Sequence, residues 1–212
     1  MLALELRYQL CDWAVRSYKD GLFEGTCGNL SAYDRQNGWV VITPSGVPYD
    51  RYRPEDMVVI DLDGNVLEGN HKPSSEWIMH TMVYRSKEKV NAVIHTHSSY
   101  ASAFAVRNQS IPCILIEMIP TLGGHVPLAE YGMPGTAEVG EEACKVLDGR
   151  GGCLLANHGV LAVGSDLEQA CVRAGYIENA AKICSIAMSN GPIMPLDEKR
   201  ILACKAHYGV EI

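Results

Sequence analysis

Three histidines fall in two short stretches of the chain. His95 and His97 follow the apolar pair Val93-Ile94, and His158 stands in Leu154-Leu155-Ala156-Asn157-His158-Gly159. Strand side chains alternate between faces, so residues two apart point the same way, roughly 6.5–7 Å from each other. Two imidazoles on one face and a third at another strand end suit a divalent metal that keeps a coordination position open. Catalytic zinc sites of this kind use about three protein ligands plus water or substrate. A lone strand histidine is more often a hydrogen-bonded core residue. Three at these spacings, in a chain that also offers Glu76, point instead to a metalloenzyme. His71, His125 and His207 have no such support and stay unassigned.

Three further stretches could hold a phosphate. In Thr26-Cys27-Gly28-Asn29-Leu30-Ser31, Gly28 lets backbone approach a ligand, and Thr26, Asn29 and Ser31 bring side-chain donors. Pro44-Ser45-Gly46 brings a hydroxyl and a backbone N–H at a strand end. Lys72-Pro73-Ser74-Ser75-Glu76 sets two hydroxyls at an expected helix N-terminus, where unpaired N–H groups and the helix dipole attract anions. Beside a histidine set, these stretches suggest a small phosphorylated substrate. Glu76, in the first turn of that helix, is the candidate base. His80, four residues on, reads as an ordinary surface neighbour of Glu76.

The elements that must position these groups are interleaved. Apolar residues at Leu6, Leu10, Trp13, Ala14 and Tyr18 predict a first helix, stopped by Gly21. Trp39–Thr43 and Met57–Leu62 read as strands, the second forming a hairpin with Val66-Leu67 through Asp63-Gly64. Ser74 or Ser75 caps a helix through Trp77, Met79 and Tyr84. Asn91–His97 reads as a strand and Ser98–Arg107 as a helix; Cys113–Glu117 and His125–Leu128 read as strands. Thr136 caps a helix to Leu147. Cys153–Ala156 and Val160–Val163 pair around Asn157-His158-Gly159, Asp166 caps a long helix to Ser189, and a last helix runs from Asp197 to Gly209. Several strands follow one another through tight turns, which a purely parallel sheet does not allow. The expected fold is α/β, with a central mixed, largely antiparallel sheet and helices on both faces.

Composition narrows the function classes. The 212 residues fit one domain spanning 1–212. A net charge of −7, with no basic run longer than two residues, argues against a nucleic-acid partner. No stretch approaches the ~20 apolar residues of a membrane span, so no membrane partner is expected. The N-terminus does not read as a signal peptide, and the eight cysteines form no Cys-x-x-Cys pair. They read as reduced core residues of a cytoplasmic protein.

In order and spacing, Gly25–Ser31, Thr43–Tyr49, Lys72–Glu76, His95-Thr96-His97 and Asn157-His158-Gly159 resemble the class II aldolase/adducin family. The resemblance runs from about Leu6 to Tyr208. It implies a three-layer α/β/α domain and a fourfold-symmetric homotetramer with active sites at subunit interfaces. It implies Zn2+ held by His95, His97 and His158, with Glu76 both a resting metal ligand and the acid/base. The phosphate would sit among Gly28, Asn29, Ser45, Gly46, Ser74 and Ser75, and Tyr208 would donate a proton to the aldehyde oxygen.

The implied reaction is reversible cleavage of a ketose 1-phosphate, L-fuculose 1-phosphate or a related deoxy-ketose 1-phosphate. The products would be dihydroxyacetone phosphate and an aldehyde such as L-lactaldehyde. A Lewis-acid metal stabilises the enediolate, so no Schiff-base lysine is needed. The aldehyde side departs from the family pattern: Ile116 and Glu117 stand where a tyrosine is expected, and Pro134 where an aromatic is expected. A pentulose-5-phosphate 4-epimerase would carry aspartate at position 76. A methylthioribulose-phosphate dehydratase or aldolase would share the same core. An adducin-like structural head would be marked by lost histidine ligands, and all three are present.

Overall fold

A computed structural model of the chain describes residues 1–210. Eight strands form one sheet: β1 (Asn29–Asp34), β2 (Trp39–Ile42), β3 (Val58–Ile60), β4 (Val66–Glu68), β5 (Ala92–Thr96), β6 (Leu128–Ala129), β7 (Gly152–Leu155) and β8 (Gly159–Gly164). Their order is β4-β3-β2-β1-β5-β8-β7-β6. Every neighbouring pair is antiparallel except β6–β7. The mixed, largely antiparallel sheet is therefore as expected.

Among the described residues, seven α-helices pack around it: α1 (Leu4–Lys19), α2 (Trp77–Ser86), α3 (Ser99–Val106), α4 (Met118–Leu122), α5 (Ala137–Val146), α6 (Leu167–Ser189) and α7 (Glu198–Tyr208). Strand alternation divides the core in two. Leu30, Val41, Ile94, Leu154 and Ala162 face a cluster with α1, α3, α4 and α6. Val40, Ile42, Val93, Leu161 and Val163 face a second cluster with α2 and α5. These are the three α/β/α layers, and the parity of each strand residue fixes which helix it meets. Among the described residues, no helix is long and apolar enough to cross a membrane.

Four local expectations need correction. Asn29–Ser31 opens β1 instead of lying in a loop, because its backbone pairs with His95–Val93 of β5. Cys113–Glu117 is no strand: Ile111 makes an isolated bridge to Val126, and Glu117 stands at the N-cap position of α4 without a capping hydrogen bond. An apolar run of that length does not by itself distinguish strand from buried irregular chain. The strand expected at His125–Leu128 shrinks to the two-residue edge strand β6, preceded by Pro127, which has no N–H to give a ladder. Finally, α2 starts at Trp77 with Glu76 as its N-cap residue, and neither serine caps it. Ser74 Oγ instead accepts from the Glu76 N–H at 3.3 Å.

Candidate active site

His95 is fixed by its place in the sheet. It lies inside β5, fully buried, between Asn29 of β1 and Leu161 of β8. Its Nδ1 is 2.8 Å from the Val160 carbonyl, which can only accept, so Nδ1 carries the proton and Nε2 a lone pair. His97 lies just beyond the strand end, with its Nε2 2.8 Å from His95 Nε2. His158 comes from the β7–β8 hairpin. Asn157, at φ 54°, supplies the left-handed residue of that corner, a conformation asparagine tolerates well. Gly159 then starts β8 where a Cβ would lie 2.4 Å from the Thr96 carbonyl and 3.3 Å from each of the rings of His95 and His97. Glycine there lets the hairpin close onto the other two histidines.

The donor atoms of His95, His97 and His158 lie within 4.8 Å of one another. Glu76 reaches them from the start of α2, with Oε2 3.2 Å from His95 Nε2 and Oε1 3.3 Å from His158 Nε2. Burial, reinforced by the neighbouring histidines, holds His95 well below the ordinary imidazole range, and burial then His158 lowers His97. Both rings are thus neutral at pH 7, the form that ligates metals. Glu76 Oε1 and His158 Nδ1 are buried with no hydrogen-bond partner among the described residues. A buried carboxylate whose Oε2 faces the His95 Nε2 lone pair is costly unless a cation lies between them. The donor set, three imidazoles and one carboxylate, fits a divalent metal.

Glu76, His97 and His158 border a cavity of about 280 Å³, and His95 is buried behind them. Its other walls are Thr26, Cys27, Gly28, Asn29, Pro44, Ser45, Gly46, Ser74, Ser75, Pro134 and Gly135, so the three phosphate-type stretches converge on one space. Backbone bonds tie them together: Thr43 N–H to the Leu30 carbonyl, Ser45 N–H to the Lys72 carbonyl and Ser74 N–H to the Thr43 carbonyl. The Ser45 N–H is therefore spent, and its hydroxyl is what it can offer a ligand. Gly28, at φ +87°, could not carry a Cβ, which would fall 2.6 Å from the Phe23 ring and 2.7 Å from the His95 carbonyl. The Asn29 side chain is only partly available: Nδ2 donates to Glu76 Oε2 at 2.9 Å, and Oδ1 accepts from His80.

Other expected residues sit elsewhere. Ser31 is fully buried against His80 and Tyr84, outside the cavity. His80 is no surface residue: it is fully buried, and sequence spacing on α2 alone gave no sign of what that helix faces. Tyr208, on α7, is 57% exposed and does not border the cavity of its own chain. Of the aldehyde-side positions, Pro134 borders the cavity, while Ile116 and Glu117 do not.

The burial of His80 predicts a loss of stability in acid. Burial pushes it down to about 3, with His95 adding to the shift. An unfolded histidine titrates near about 6.5, so below that pH the unfolded chain binds the extra proton. The stability contributed by neutral His80 is present above about pH 6.5 and lost as pH falls toward 3, at up to about 1.4 kcal/mol per pH unit. Urea unfolding between pH 7 and 5 should show a shallower decline for His80→Gln than for the wild type. Equal slopes would contradict the buried neutral state.

The family model described as Class II Aldolase and Adducin N-terminal domain matches residues 8–185. The chain is 38% identical to a 5-deoxy-D-ribulose 1-phosphate aldolase of Bacillus thuringiensis serovar kurstaki, over 97% of both chains. It is 35% identical to a 5-methylthioribulose-1-phosphate/5-deoxyribulose-1-phosphate aldolase of Rhodospirillum rubrum, covering 97% of this chain and 93% of that one. Among solved structures, an L-fuculose 1-phosphate aldolase superposes with a TM-score of 0.93 at 34% identity, covering 99% of this chain and 98% of the other.

Proposed function

The chain belongs to the class II aldolase and adducin family and is a metal-dependent aldehyde-lyase, and from that premise we propose that it cleaves a deoxy-ketose 1-phosphate. The products are dihydroxyacetone phosphate and a small aldehyde. Within that class, the relatives named for 5-deoxyribulose and 5-methylthioribulose 1-phosphates favour a substrate with an apolar end. Pro134 in the cavity wall supports the same choice over L-fuculose 1-phosphate, whose aldehyde would be the more polar L-lactaldehyde.

In this reading His95, His97, His158 and Glu76 hold Zn2+. A zinc ion held there supplies a Lewis acid for negative charge developing on oxygen. Glu76 removes a proton from the hydroxymethyl carbon in the condensation direction and returns it on cleavage, a role worth about 10²–10⁴-fold in rate. Gly28, Asn29, Ser45, Gly46, Ser74 and Ser75 seat the phosphate and so fix the reacting end beside Glu76. Tyr208, exposed on α7, serves the aldehyde oxygen of a neighbouring subunit in a homotetramer of single-domain chains spanning 1–212.

One observation carries the proposal: the Glu76 carboxylate stands between two imidazoles at the wall of a cavity bounded by all three phosphate-type stretches. Product analysis on a panel of ketose phosphates tests it. Dihydroxyacetone phosphate should be released, fastest from 5-deoxyribulose 1-phosphate or its methylthio analogue. Interconversion of pentulose 5-phosphates without cleavage would identify an epimerase instead, and loss of water would identify a dehydratase.

A further inference from the structure

Behind Glu76 the α/β interface contains a polar stripe where apolar packing would be expected. Glu76, His80 and Tyr84 recur every four residues, so they share one face of the α2 segment. Asn29 and Ser31, two apart on β1, have the parity opposite to Leu30, which faces the other layer, and so point at α2. The two stripes meet in a continuous series of hydrogen bonds. Tyr84 Oη is 2.6 Å from Ser31 Oγ, and Ser31 Oγ is 2.6 Å from His80 Nδ1. His80 Nε2 is 2.5 Å from Asn29 Oδ1, and Asn29 Nδ2 is 2.9 Å from Glu76 Oε2. His80 is fully buried and Tyr84 is 1% exposed.

The direction of every bond follows from the carboxylate end. An ionised carboxylate only accepts, so Asn29 must turn its NH2 group to Glu76 and its carbonyl oxygen to His80. That oxygen accepts, so His80 donates from Nε2. A neutral ring protonated at Nε2 has a lone pair at Nδ1, which takes the Ser31 hydroxyl hydrogen. Ser31 has then spent its one hydrogen, and Tyr84 donates to it. Turning the amide over would set Asn29 Oδ1 against Glu76 Oε2, two acceptors at hydrogen-bond distance.

We propose that His80 is a positioning residue for the reaction: through its Nε2–H it locks the Asn29 amide, which anchors Oε2 of Glu76 and holds the carboxylate with Oε1 beside His158. Ser31 and Tyr84 support it by hydrogen-bonding on the Nδ1 side, which holds the His80 ring in place. The inference rests on Glu76 being the base, so its test includes a measurement that does not depend on turnover.

Nitrogen NMR of the zinc-loaded protein, labelled in its histidine rings, should show His80 protonated at Nε2. Ser31→Ala, which removes the hydrogen bond that Nδ1 accepts, should leave that tautomer in place, because Asn29 Oδ1 fixes it. In kinetics, His80→Leu should slow solvent-proton exchange into dihydroxyacetone phosphate by about 10²-fold, the cost of roughly 1 Å of misplacement, with KM little changed. His80→Gln, which keeps a donor toward Asn29 and an acceptor toward Ser31, should recover most of that rate. An Nδ1-protonated His80 in the wild type, or equal slowing by Leu and Gln, would overturn the proposal. Should His80→Leu not fold, an Nδ1-protonated His80 in Ser31→Ala would overturn it as well, since Ser31 and not Asn29 would then set the tautomer. A wild type that exchanges no proton would instead remove the aldolase reading, while the tautomer measurement would still decide the lock.

Discussion

Glu76→Gln should reduce proton exchange between dihydroxyacetone phosphate and solvent by at least about 10²–10⁴-fold, the range that a positioned general base supplies. Glutamine is nearly isosteric with glutamate and keeps a carbonyl oxygen that can accept from Asn29 Nδ2, as Oε2 does at 2.9 Å. The anchoring contact therefore survives while the basic oxygen is lost. Three imidazoles remain to hold the metal, so metal content should be largely preserved. Both quantities are measurable on one preparation: deuterium incorporation by proton NMR and metal by elemental analysis. Exchange at the wild-type rate would remove Glu76 from its role. Loss of metal together with exchange would show that its role as a ligand outweighs its role as a base.

Metal removal should have a comparable effect. Purified protein should contain about one zinc per chain, and stripping it with a chelator should lower cleavage by about 10³-fold or more, as expected when several kcal/mol of transition-state charge stabilisation is withdrawn. The reason lies in the protonation of the site. His95 and His97 are held neutral, with the His95 proton committed to the Val160 carbonyl. Without a cation, the site presents the neutral rings of His95 and His97 and a carboxylate to a reaction that develops negative charge. Nothing in that set neutralises it. Adding Zn2+ should restore activity and raise the thermal midpoint, because a ligand that binds the folded chain selectively stabilises it. Mn2+ or Co2+ should restore part of the activity, since imidazole and carboxylate accept them too. A metal-free preparation with full activity would contradict the proposed chemistry.

Much of this site is legible in the sequence because its parts are local. His95 and His97 are two apart on one strand, and the serine and glycine stretches are short and contiguous. What the sequence does not reveal is non-local. Gly28-Asn29-Leu30-Ser31 has turn-like composition, and only pairing with β5 makes its second half a strand that aims Asn29 and Ser31 at α2. The same ignorance of the facing layer makes His80 look like a surface partner of Glu76, although β1 covers it completely. Cys113–Glu117 and His125–Leu128 mislead in the other direction: their apolar residues suggest strands, but the sheet accepts only an isolated bridge between Ile111 and Val126 and the two-residue edge strand Leu128–Ala129. Tyr208 illustrates a different limit, since neither its position in the chain nor its exposure on α7 says what it meets outside its own subunit.

The central claim is that Glu76, at the histidine cluster, moves a proton at the hydroxymethyl carbon of dihydroxyacetone phosphate. The most direct measurement is proton NMR of dihydroxyacetone phosphate incubated in deuterium oxide with the zinc-loaded wild-type protein and no aldehyde. One of the two hydroxymethyl hydrogens should be replaced stereospecifically while the other is retained. Retention of both hydrogens by protein of full zinc content would contradict the claim.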